Sequence, residues 1–358
     1  MHRTNGQLAD GREIFYYDRT TERREVPPDT RTLPERPLGS RMRFDVATGD
    51  WVVVAGHRQK RIFAPSASEC PLCPSRPGHL TDVPAPEYDV VVFENRFPAL
   101  TSVGMTSPDE GFFHSAEANG RCEVICFSSD HDTTFAELKA DQARLVLDVW
   151  TDRTRELSAT PGIAQVFCFE NRGPEMGVSQ PHPHGQIYAY PVLTPRTTRM
   201  LAQVAAHRER TGGNLFDDLV AAEVADGRRI VKATDEWVAF VPYAARWPYE
   251  VHLYPRRRAT DLTGLDEAQR AEFAPLYLDI LQRFDRLFDV PTPYVAAWHQ
   301  APVSAVGRDE FAAHIELFTN RRSTERLKVL GGTEVAMDSF SNDVGPEPAA
   351  ARLRELGD

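Results

Sequence analysis

Two stretches of this chain, about 127 residues apart, run through the same order of elements, and that repeat constrains the fold more than any other feature. In the first, residues 123–127 read as a strand and a loop runs through His131. A helix follows from Asp141, its apolar positions Ala143, Val146, Leu147, Trp150 and Leu157 recurring at helical spacing, and it stops before Pro161. A strand at 164–169 and another on His182-Pro-His184-Gly-Gln186 complete the unit. In the second, residues 250–254 are a strand and Asp266 starts a helix that buries Phe273, Tyr277, Ile280, Phe284 and Leu287. Strands at 294–298 and 313–318 close it. Glu123 and Glu250, Phe127 and Tyr254, and Gln142 and Gln269 match at one offset, which points to a duplicated α+β unit. In the second copy His314-Ile-Glu316 takes the place of His182-Pro-His184, so one chemical site per chain is expected.

Around these units, residues 1–40 are polar and proline-rich and read as an arm with a short strand at 13–17. The expected division is an arm at 1–40, a first unit at 41–195, a second at 196–335 and a tail at 336–358 with an amphipathic helix at 349–356. A net charge of −11 argues against a nucleic-acid binder, which needs a broad cationic surface, but leaves room for anionic small molecules in a local pocket. No stretch has the apolar core of a signal peptide or the length of a membrane span, so a soluble, cytoplasmic protein without a membrane partner is expected.

The chemistry concentrates at His182-Pro-His184-Gly-Gln186. Period-2 alternation would put His182, His184 and Gln186 on one strand face, with Pro183 and Gly185 on the other, where a backbone can approach a ligand. An imidazole can attack phosphorus and form a covalent intermediate, although a His-x-His pair is as readily a metal clip. The approach, Phe169-Glu-Asn-Arg-Gly173 through Ser179-Gln-Pro181, supplies glycines, an amide and a hydroxyl suited to an anion. Of the five cysteines, Cys122, Cys126 and Cys168 sit in apolar runs. Cys70-Pro-Leu-Cys73 has the spacing of half a tetrahedral zinc site, which leaves two histidines to be found elsewhere.

With TGDWVVVAGHRQKR, CPLC, VVFENRFPAL, EVICFSSDHDTTFAEL, FENRGPEMGVSQPHPHGQIYA, WPYEV and AAWHQAP, the chain resembles the galactose-1-phosphate uridylyltransferase family, a branch of the histidine-triad superfamily, over nearly its full length. The resemblance implies a duplicated histidine-triad fold, with antiparallel sheets and helices packed on one side. It implies His184 as the nucleophile that becomes uridylylated, and Gln186 as a hydrogen-bond partner of its phosphoryl group. Cys70, Cys73, His131 and His182 match the zinc ligands. Asn95, Asn171 and Ser179 match contacts to the nucleotide sugar, while Arg58, Arg61 and Lys328 match residues that reach the substrate from the other subunit of a homodimer. The implied reaction converts UDP-glucose and galactose 1-phosphate to UDP-galactose and glucose 1-phosphate. The alternative is a phosphorylase that passes an adenylyl group from a nucleotide sugar or dinucleotide to orthophosphate.

Two departures stand out. Members of the family carry a second, iron-type site of one glutamate and three histidines. Here His299 and His314 match two of them, Glu316 replaces the third, and Met200 stands at the glutamate position, so at most a weaker, variable metal is expected there. Thr333 also stands where an aromatic residue is common. Gln186 itself carries a physical argument. Where related hydrolases have a third histidine, Gln cannot take a proton from water, whereas an anionic sugar phosphate has none to give. Transfer is then favoured over hydrolysis.

Overall fold

The computed structural model describes residues 1–22, 24–36, 39–60, 66–101 and 111–357. The first half contains β1 (His2–Gln7), β2 (Glu13–Asp18), β3 (Arg41–Asp45), β4 (Asp50–Val54), β5 (Val90–Glu94), β6 (Ser115–Glu117), β7 (Arg121–Cys126), α1 (Ala140–Ser158), β8 (Gln165–Arg172) and β9 (His184–Tyr190). After α2 (Pro195–Thr211) and α3 (Leu215–Asp226) come β10 (Ile230–Ala233), β11 (Trp237–Phe240), β12 (Tyr249–Pro255), α4 (Glu267–Asp285), β13 (Tyr294–His299), β14 (His314–Thr319), α5 (Gly332–Met337) and α6 (Pro346–Glu355). Among the described residues, eleven strands form one sheet in the order β1-β2-β5-β7-β9-β8-β13-β14-β12-β11-β10, while β4, β3 and β6 form a small separate one.

That order shows the duplication directly. Reading outward from the β8–β13 junction, β9, β7 and β5 on one side answer β14, β12 and β11 on the other. The junction is antiparallel, Arg172 facing Tyr294 and Phe169 facing Ala297, so one hydrogen-bonded surface runs through both halves. The hairpin of β1 and β2 pairs with β5 and extends this sheet, so the first residues of the expected arm are sheet edge.

The long helices α1 and α4 pack side by side on one face. Every apolar position expected to be buried on them is: Val146, Trp150, Phe273, Tyr277, Ile280 and Phe284 join Ile125, Ile187, Leu253 and Leu317 in a single core. A buried aliphatic or aromatic side chain contributes roughly 1.5–3 kcal/mol, so this layer supplies most of the fold's stabilisation. Asp266 caps α4 by accepting from the Gln269 amide, while Gln269 bonds back in a capping box. The opposite face is covered in two parts. Residues 70–88 pack on β5 and β7 through Leu72, Val83, Tyr88, Phe93 and Val124. Helices α2 and α3 cover β11 and β12 through Val204, Phe216, Phe240 and Tyr254.

The repeat holds in element order and in the two helices, but the strand matches at that offset do not survive. Glu123 points to the α1 face, where Arg153 donates to both its oxygens at 2.9 and 2.7 Å. Glu250 lies on the other face, accepting from His252 Nε2 at 2.9 Å. Phe127 likewise belongs to the helix-side core and Tyr254 to the opposite one. A one-residue slip reverses every side chain in a strand, so these two matches do not mark equivalent positions.

Candidate active site and two buried clusters

His184 sits at the start of β9, whose neighbours fix its orientation. Cys126 on β7 faces His184 and Val124 faces Gln186, while Phe169 on β8 also faces Gln186. His184 and Gln186 therefore share the face away from α1. The strand begins at His184, so the expected alternation does not extend back to His182. Gly185 points the other way, into the core, where an added Cβ would lie 2.7 Å from the Phe169 carbonyl oxygen and 2.8 Å from Phe127 Cζ. A side chain here would strike the Phe169 backbone and Phe127, and Gly185 also lines the cavity beside His184.

His184 Nδ1 lies 2.7 Å from the His182 carbonyl oxygen. A carbonyl only accepts, so Nδ1 carries the proton and Nε2 keeps the lone pair. The ring lines a cavity of about 340 Å³ together with Asn95, Arg96, Asn171, Ser179 and Gln186. The Asn95 side-chain oxygen accepts from the Phe97 amide at 2.9 Å, and Asn171 donates to the Met176 carbonyl at 3.2 Å, so both amides are held in place. Arg96 was not singled out from the sequence. Its side chain lies 5.9 Å from the Phe97 ring centroid, adding a cation to the cavity wall.

His182 turns into a different cluster. The side-chain donor atoms of Cys70, Cys73, His131 and His182 all lie within 4.8 Å of one another. Cys73 Sγ is 3.2 Å from His131 Nδ1 and 3.6 Å from His182 Nδ1. On the far side of its ring, His182 Nε2 donates to the Ser128 carbonyl at 2.9 Å and lies 3.0 Å from the Tyr88 hydroxyl, whose own proton is directed to the Leu72 carbonyl at 3.4 Å. These contacts leave Nδ1 with its lone pair towards the sulfurs, the outer-shell arrangement of a ligating histidine. Burial, and then the neighbouring Cys70, push the Cys73 thiol up to about 12, and burial lowers His182 to about 4. With two sulfurs and two ring nitrogens converging and no cation among them, the residues fit a tetrahedral zinc ion.

Residues 31–194 match the model of the galactose-1-phosphate uridyl transferase N-terminal domain, and residues 200–358 match that of the C-terminal domain. The chain belongs to the galactose-1-phosphate uridylyltransferase family. It is a nucleotidyltransferase by that membership, and similarity extends over whole chains. It is 50% identical to the galactose-1-phosphate uridylyltransferase of Streptomyces lividans, covering 100% of this chain and 99% of that one. A solved uridylyltransferase structure superposes with a TM-score of 0.79 at 29% identity, over 88% of this chain and 98% of the other. An ADP-glucose phosphorylase from Arabidopsis thaliana shares the fold, with a TM-score of 0.67 at 22% identity over 88% and 98% of the two chains. Among the described residues no helix is long and apolar enough to cross a membrane.

Not every residue that the resemblance implies reaches the cavity. Arg58 lies in a short 3₁₀ turn outside its wall, and Arg61 lies outside the described residues. Lys328 is buried within its own chain, bonded to the Ser341 carbonyl and 3.3 Å from Glu334.

The family's second metal site also departs from expectation. Glu316 on β14 is buried and its carboxylate accepts from Arg196, at the start of α2, at 2.7 and 2.6 Å. His299 Nε2 is 3.3 Å from Glu316, His314 Nε2 3.6 Å and His252 Nε2 3.7 Å. Burial opposes ionisation of Glu316, yet His299 and His252 outweigh it and hold the carboxyl well below its usual range. The Nε2 atoms of His299 and His314 both face the Glu316 carboxylate, but the three residues do not form a set of donor atoms all within 4.8 Å of one another. The converging group is Glu250, His252 and Glu316, and Arg196 already occupies Glu316. The cluster as it stands does not fit a metal ion. Met200, one turn further along α2, packs with the apolar residues between α2 and β11.

Proposed function

We propose that this chain transfers a uridylyl group from UDP-glucose to galactose 1-phosphate in two displacements through His184. The observation that carries the reading is the 2.7 Å bond from His184 Nδ1 to the His182 carbonyl, which leaves Nε2 as the nucleophile facing the cavity. In the first step Nε2 bonds to the α-phosphorus while the bond from that phosphorus to the bridging oxygen breaks. Glucose 1-phosphate leaves with the electron pair. In the second step a phosphate oxygen of galactose 1-phosphate attacks the same phosphorus and releases Nε2. Neither step requires a proton from the acceptor, which suits Gln186 beside the histidine. Asn95, Asn171 and Ser179 hold the nucleotide sugar, and positioning with charge compensation supplies most of the rate, as in phosphoryl transfer generally.

Zinc bound by Cys70, Cys73, His131 and His182 would be structural, because four protein ligands close the tetrahedron. His182 thereby anchors the segment whose carbonyl sets the tautomer of His184. Arg58, Arg61 and Lys328 act, in this reading, in the cavity of a second subunit, and Lys328 must first part from Glu334. Incubation with UDP-glucose should add one uridylyl mass to the intact protein, and His184→Asn should add none while retaining zinc. A uridylylated His184→Asn protein would sink the assignment. The likeness to an ADP-glucose phosphorylase extends to the fold alone, and labelling by ADP-glucose in place of UDP-glucose would favour that chemistry.

A further inference from the structure

We infer that Arg196 is the resident cation of the second half's buried cluster, its guanidinium standing where a divalent ion would have to bind, so that the chain carries one metal site and not two. Glu316 is buried at the meeting of β12, β13 and β14, and a carboxylate in that setting needs a compensating charge. Arg196 contributes it from within the chain alongside His299 and His252, with Nη2 in hydrogen-bond contact with both oxygens. A guanidinium does not lose its proton in proteins, so this charge is permanent.

The position of Arg196 argues in the same direction. It lies in the first turn of α2, directly after Pro195, and that turn contains no acidic residue. The positive end of a helix dipole disfavours a cation there. The helix therefore gives no reason for an arginine at this position, whereas Glu316 does. The imidazoles pack as stacked rings around the pair, their Nε2 atoms 3.3–3.7 Å from Glu316. His314 stacks on Tyr254 at 4.3 Å and on His299 at 5.2 Å. His314 Nδ1 donates to the Ala312 carbonyl at 2.8 Å, while its Nε2 is buried without a hydrogen-bond partner. His252 directs Nε2 at Glu250. A metal would have to displace Arg196 from Glu316.

The test is a metal count on the full-length protein, loaded in turn with Zn²⁺, Fe²⁺ and Co²⁺ and then desalted. The wild type should retain one equivalent, lost in Cys73→Ser and unchanged in Glu316→Gln. Arg196→Met should gain a second equivalent, visible for Co²⁺ as new ligand-field absorption, and adding Glu316→Gln should remove it. Arg196→Lys, which keeps the charge, should stay at one. A second equivalent in the wild type that Glu316→Gln removes would overturn the inference, as would a folded Arg196→Met protein that gains no metal. If Arg196→Met does not fold, the wild-type count with and without Glu316→Gln decides alone.

Discussion

The two halves of the sheet each bury a polar cluster on the face away from α1 and α4, and the two are built on opposite principles. In the first, Cys70, Cys73, His131 and His182 offer soft donors whose atoms point at one another with no positive charge between them. In the second, Glu316 meets Arg196 and three imidazoles, so charge is already matched. The pKa directions show the difference. Burial and the neighbouring Cys70 push the Cys73 thiol up to about 12, whereas Glu316 stays ionised although buried. Ligand-type residues occur in both places, but only the first has an electrostatic demand that a metal would meet.

The largest effect should come from breaking the first cluster. Cys73→Ser should lose zinc and stability together, since binding energy at a structural site, on the order of 10 kcal/mol, is folding energy. Metal analysis with thermal melts would show it, and full zinc occupancy in that variant would dissolve the contrast between the halves.

A second test concerns the third residue of β9 and of β14, Gln186 in the first half and Glu316 in the second, the latter held by Arg196. Only the former can affect chemistry. Gln186→His should raise UMP release by as much as about 10²–10⁴-fold if the imidazole is well placed, read at fixed galactose 1-phosphate as UMP released per UDP-galactose formed. An unchanged ratio in a folded, zinc-loaded enzyme would mean that pocket shape, and not proton transfer, excludes water.

The junction of the halves has its own titration. Glu170 on β8 is buried, and burial raises its pKa to about 8 against the opposing hydrogen bond from Tyr294 at 3.0 Å. An acid raised on folding binds more protons folded than unfolded, so stability should fall as pH rises from the ordinary carboxyl range towards 8. A tenfold change in proton affinity corresponds to about 1.4 kcal/mol. Glu170→Gln should flatten that slope in melts between pH 5 and 8, and an unchanged slope would place the titration elsewhere. The smallest effect belongs to Tyr88. Tyr88→Phe removes one outer-shell contact from His182 and should weaken zinc about tenfold in chelator competition, with no change expected from Phe substitution at Tyr254 beside His314.

Much of this was legible from periodicity. Helices α1 and α4 carry dense apolar stripes, and their inward positions are buried as read. The HPHGQ strand and the Cys-x-x-C pair were legible because their spacing is itself chemical. Helix α2 is hard to read because its apolar stripe is short, Met200, Leu201 and Val204 in an otherwise polar sequence. The face reversal of Glu250 is hidden because strands buried on both sides lack the alternation that would mark one. Glu170 reads as one letter of a motif, although its burial and not its neighbours in sequence gives it an unusual proton affinity. Arg196 and Glu316 lie 120 residues apart, and no local pattern in either segment announces the other.

An arginine made on the ribosome arrives with the chain. It cannot be stripped by a chelator, filled by the wrong ion or oxidised like ferrous iron. With zinc confined to the first cluster, as proposed, the second half would keep its electrostatic balance through starvation for iron or zinc.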